Sequence, residues 1–174
     1  LQAALEILQR RLPHPPLTFL WTVQEELGLH GARYGNIAML KRPRLAFNFD
    51  GGSSEKLTIG ATGGYRMEIR VEGIASHAGN SPEQGVSAVA VASLAIARLH
   101  KKGWHGLVQK GGRRGTSNFG VIRGGQATNV VAPSAEIRAE ARSHDPDFRQ
   151  EIVAMIEKEF RTAASELATA DGRC

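Results

Sequence analysis

Two adjacent carboxylates, Glu25 and Glu26, stand where the apolar run 17–23 (LTFLWTV) gives way to the stretch LGLHGAR. A third, Asp50, closes a second apolar run, 44–50 (RLAFNFD), and is followed by Gly51 and Gly52. Both runs read as buried strands, and in open α/β sheets the carboxyl ends of strands are where ligands and metals are held. Three carboxylates converging there would make a hard, oxygen-rich pocket for a divalent cation, with one of them free to act as an acid or base. Each feature also has a plainer reading. An acidic pair after a strand complements the dipole of a following helix, and Asp-Gly is a common turn. His77, between Ser76 and Ala78, falls after a strand and ahead of a helix cap, either as a loop histidine or as a functional one.

The elements that must position these groups come in two styles. Over the first part, Leu1, Leu5, Leu8 and Leu12 recur at the helical period, followed by strand 17–23, a helix over about 28–40 and strand 44–50. Strands alternating with helices predict a parallel sheet buried on both faces. The glycine-rich GATGG at 60–64 then marks a hinge. Beyond it Tyr65, Met67, Ile69 and Val71 alternate with Arg66, Glu68, Arg70 and Glu72, the signature of a half-exposed strand. Ser81-Pro82-Glu83-Gln84 reads as the capped start of a helix that runs to Lys102. Strands follow at 116–123 and 135–142, the latter alternating Ala135, Ile137, Ala139 and Ala141 with Glu136, Arg138, Glu140 and Arg142. A last helix begins at Asp145-Pro146 and carries Phe148, Ile152, Met155, Ile156, Phe160 and Leu167 as its apolar stripe. The expected class is α/β, with part of a parallel-sheet domain over 1–62 and a βαββα layer, lacking its last strand, over 63–174.

Composition narrows the partners. The 22 Lys and Arg against 17 Asp and Glu leave a net charge of +5, which raises nucleic acid as a partner. RNA-reading sheets, however, present several aromatics, and the 135–142 strand has none. No nucleic acid is therefore expected. No apolar stretch is long enough to span a bilayer, so no membrane is expected either. The one cysteine, Cys174, excludes a disulfide framework and a Cys-rich zinc site, and points to a reducing compartment, the cytoplasm.

Four segments in this order, WTVQEELGLHGAR, the Asp of FNFDGG, GIASHAG with the following PEQGVSAV, and TNVVAPSAEIRAEARSHD, resemble a known family. It is that of the zinc-dependent exopeptidases and deacylases, including glutamate carboxypeptidase, tripeptide aminopeptidase, aminoacylase and succinyl-diaminopimelate desuccinylase. The resemblance implies a catalytic domain followed by a ferredoxin-like βαββα(β) lid that also forms a homodimer interface. It implies hydrolysis of amide bonds in small peptides or N-acyl amino acids at a two-zinc centre. Glu25 would be the general base and acid, and Glu26 and Asp50 would each ligate one zinc. His77 would stabilise the oxyanion, in the partner subunit's site, and Asn129 and Arg142 would contact substrate. The family's His-x-Asp motif and final metal-binding histidine have no counterpart here; they are expected ahead of Leu1 and beyond Cys174, so the chain alone is expected to be inactive. His14, His30, His100, His105 and His144 lie outside the motifs. The alternative from another class is a dimerisation or binding module without catalysis.

Overall fold

The computed structural model describes residues 2–49, 52–53 and 55–174, and its contacts divide the chain into two compact units, Leu1–Lys56 and Leu57–Cys174. Asp50, the third expected carboxylate, lies outside the described residues.

The second unit is built on alternation. Strands β1 (Gly63–Glu72), β2 (Gly106–Lys110), β3 (Arg113–Gly124) and β4 (Ser134–Ser143) form one antiparallel sheet in the order β1-β4-β3-β2. In β4 the small apolar row Ala135, Ile137, Ala139 and Ala141 is buried, while Arg138 and Arg142 are exposed and Glu136 and Glu140 half-buried. The sheet therefore has one dry and one wet face. Two helices, α3 (Ala88–Lys101) and α4 (Pro146–Glu166), pack against it and against each other. Val91, Ala95 and Leu99 of α3 and Phe148, Ile152 and Ile156 of α4 close the core over Ile137 and Val108. Burying each of the larger side chains contributes roughly 1.5–3 kcal/mol relative to leaving it in water. Two hydroxyls trapped here are paired: Ser117 Oγ donates to the Trp104 carbonyl at 2.5 Å and Ser143 Oγ to that of Arg114 at 2.8 Å.

Two local readings of the sequence are corrected in this unit. The segment at Ser81 makes only a 3-10 turn, Pro82–Gln84, and α3 starts later, with Ser87 as its cap accepting from the Ala90 N–H at 3.2 Å. The cause is Val86, which exchanges two backbone hydrogen bonds with Ile74, each 2.9 Å, and so holds the chain extended before the helix. The sheet also has a strand that the sequence did not signal, β2. Its two apolar residues, Leu107 and Val108, are adjacent rather than alternating, and it is held as the edge of a hairpin with β3. The start of α4 is as expected, with Asp145 Oδ1 accepting from the N–H groups of Asp147 and Phe148 at 2.9 and 3.1 Å.

The first unit contains two α-helices, α1 (Gln2–Gln9) and α2 (His30–Arg33), and a 3-10 turn, Ile37–Leu40. The runs 17–23 and 44–49 do not pair as strands, which departs from the expected parallel sheet. Leu20, Trp21, Val23, Leu45 and Phe47 along them are exposed. A strand needs neighbours to satisfy its backbone, and the described residues offer these runs none.

Candidate active site

Glu25 and Glu26 sit in a tight reversal of the first unit. The Glu25 carbonyl accepts from the N–H groups of Gly28 and Leu29 at 3.1 and 2.8 Å, and the Val23 carbonyl from Gly31 at 3.0 Å. Gln24 adopts φ 56° to enter the turn, a conformation that costs a non-glycine residue energy. Gly31 is obligatory, because a Cβ there would come within 2.6 Å of the Val23 backbone. Local bonds thus hold both carboxylates out into solvent. Among the described residues no three His, Cys, Asp or Glu side chains gather to hold a metal ion. Glu26 alone falls short of the about three protein ligands that a catalytic zinc requires.

His77 and Asn129 are brought together in the second unit. The chain leaving β1 and the chain entering β4 continue the antiparallel pairing past the end of the sheet. Gly73 N–H donates to the Pro133 carbonyl at 2.8 Å, Val131 N–H to that of Ser76 at 3.0 Å, and Ala78 N–H to that of Asn129 at 2.9 Å. His77 itself bridges to Val130. Close packing underlies this loop pair, since a Cβ on Gly73 would meet the Val86 carbonyl oxygen at 2.2 Å. The imidazole is oriented as well as placed: its Nδ1 accepts from the Gly79 N–H at 3.2 Å. A neutral ring accepting at Nδ1 carries its proton on Nε2, so exposed His77 presents an N–H donor to whatever approaches. The exposed Asn129 amide adds a second group of donor type on the neighbouring segment.

Arg142 is not part of this cluster. It lies at the other end of β4, paired with Gly64 of β1 and Thr116 of β3, whereas the His77 and Asn129 loops emerge beyond Glu72 and Ser134. At about 3.3 Å per strand residue, Arg142 lies roughly 25 Å from the end of β4 at Ser134, beyond which both loops emerge. Arg142 Nη2 donates to Glu140 Oε2 at 2.9 Å, and this bond, with the attraction of the same carboxylate, raises the guanidinium pKa above its ordinary value. Glu140 is a hydrogen-bonding neighbour of Arg142 that its place in the sequence already suggested. Its signal was present, because residues two apart on a strand share a face.

Comparison with known proteins gives the context. The family model described as peptidase dimerisation domain matches residues 59–168. A tripeptidase from Staphylococcus aureus subsp. aureus Mu50 superposes with a TM-score of 0.78 at 34% identity over 92% of this chain. Aminopeptidase PepT from Bacillus cereus ATCC 10987 does so at 0.74 and 32%, also over 92%. Carboxypeptidase G2 from Pseudomonas sp. (strain RS-16) is 29% identical over 89% of the chain. The chain spans about two fifths of these proteins, 41% of each of the two structures and 36% of the carboxypeptidase.

Proposed function

From the premise that the chain belongs to the M20 peptidase dimerisation-domain family, we propose that it serves a cytoplasmic hydrolase that cleaves amide bonds in small peptides or N-acyl amino acids. In this reading residues 1–62 belong to the catalytic domain and 63–174 to the lid through which two copies associate. Glu25 takes the proton of the attacking water and returns it to the leaving amine. Glu26 and Asp50 would each hold one of a pair of zinc ions, which would supply the acidity that activates the attacking water. His77 Nε2–H and Asn129 hydrogen-bond the oxygen on which negative charge develops, and Arg142 grips a substrate carboxylate.

The register of β4 carries the arrangement. A tripeptide spans only about 10 Å, so Arg142 and residues that lie beyond the far end of β4, roughly 25 Å along the strand, cannot both touch it. They can do so from two protomers, with His77 and Asn129 from one lid and Arg142 from the other. A site assembled across a dimer also accounts for the dimerisation domain lying within an enzyme's chain. In the whole protein, His77→Ala should lower kcat about 100-fold or more, the cost of losing an oxyanion donor, with zinc content unchanged. Loss of zinc together with activity would show His77 to be a ligand and would overturn its role as a donor.

A further inference from the structure

One ring nitrogen each of His14, His77 and His144 is engaged in a hydrogen bond. The rings of His100 and His105 meet edge to face, with centroids 5.6 Å apart and planes inclined by 64°. His100 is exposed in the last turn of α3, and half-buried His105 lies just ahead of β2 with its ring against Phe119 at 5.4 Å. We infer that this pair is a two-imidazole site for a borderline transition-metal ion of the zinc or nickel class, which staples the end of α3 to the start of β2.

The separation is the first argument. Two imidazoles bound to one ion at about 2.0–2.1 Å, with a roughly tetrahedral angle between them, have centroids about 5–6 Å apart. Preorganisation is the second. The turn between the two residues is closed by Lys102 N–H to the Arg98 carbonyl at 2.9 Å, Gly103 N–H to that of His100 at 3.0 Å, and Trp104 N–H to that of Leu99 at 2.8 Å. Gly103 takes φ 70°, and buried Leu99 and Trp104 anchor both ends. The histidine backbones are therefore fixed before any ion arrives, while exposed His100 can turn its ring without losing packing.

The donor chemistry selects the ion. Imidazole nitrogens without a carboxylate suit zinc, nickel or copper and offer nothing to calcium or magnesium. Lys101 and Lys102 directly follow His100 and repel cations, which further disfavours binding driven by charge alone. Lys102 is partly neutralised by Glu159 Oε1, 2.6 Å from its Nζ. With two protein ligands, the remaining coordination positions fall to water or to an incoming donor.

The test is calorimetric titration of the metal-free 174-residue chain with zinc chloride, nickel chloride and magnesium chloride, alongside thermal unfolding with and without each ion. Zinc and nickel should bind at one ion per chain and raise the unfolding temperature, because an ion that binds only the folded state stabilises it. Magnesium should do neither. His100→Ala and His105→Ala should each weaken this binding by about tenfold or more, as one of two ligands is lost, while His144→Ala leaves it unchanged. If His105→Ala does not fold, as judged by metal-free unfolding, exposed His100 decides the question alone. Binding that survives His100→Ala, or no binding of zinc or nickel at millimolar concentration, overturns the proposal.

Discussion

Glu140 and Arg142 share the outward row of β4, and the 2.9 Å bond between them competes with any substrate carboxylate for the guanidinium. Replacing Glu140 by Gln removes the competing charge. In the whole protein it should lower KM several-fold for a substrate with a free carboxylate and leave kcat nearly unchanged. An unchanged KM would mean that Arg142 does not meet that carboxylate. Arg142→Lys should raise KM, because an ammonium cannot reproduce the planar two-pronged contact. At this scale His77 and Asn129, read from separate motifs, fall on adjacent segments joined by the Ala78 N–H to the Asn129 carbonyl. The distance of Arg142 from them was not legible, because it depends on which end of β4 each loop leaves. Only the pairing of β1 with β4 decides that.

Helices α3 and α4 are joined by two ion pairs of different character. Lys102 meets Glu159, whose side chain is 3% exposed and whose Oε2 is buried without a partner. Lys102→Met leaves that carboxylate buried and unpaired and should destabilise the unit by about 3 kcal/mol, whereas the double replacement Lys102→Met with Glu159→Met should recover most of the loss. Chemical denaturation of the single and double variants measures both. Arg98 pairs with Glu166 nearer the surface, and this hydrogen bond lowers the Glu166 pKa below its ordinary 4.5. A carboxylate with a lowered folded-state pKa contributes stability above its unfolded value and loses it as pH falls through the folded one. Asp171, lowered by Thr169 and Arg173, and Glu68, lowered chiefly by Arg70, act in the same direction. The unfolding temperature should therefore fall steeply only below about pH 4.5, and Arg98→Ala should make that acid limb shallower. Legibility at this scale followed periodicity. Strands β1, β3 and β4 and helix α4 announced themselves by alternation or an apolar stripe. Strand β2, short and stabilised by its hairpin partner, did not, and the start of α3 was displaced by the bridge between Ile74 and Val86.

On the scale of the whole molecule, the apolar runs 17–23 and 44–50 were read as strands, and neither 17–23 nor the described 44–49 forms one. An apolar run alone does not say whether a neighbour is there to pair with it, and Trp21 and Phe47 are exposed. The second unit, by contrast, closes its own core with its own residues. The proposal thus rests on a unit that closes its own core and sets His77 and Arg142 toward opposite ends of one sheet. Mixed dimers of the whole protein test this most directly. His77→Ala and Arg142→Ala proteins, each nearly inactive as a homodimer, are dissociated together and reassociated. If one protomer supplies His77 and the other Arg142, every heterodimer regains one intact site, and random mixing should restore about a quarter of the wild-type activity. If the two residues serve the same protomer's site, each heterodimer has two damaged sites; activity that stays at the level of the parent variants would contradict the account.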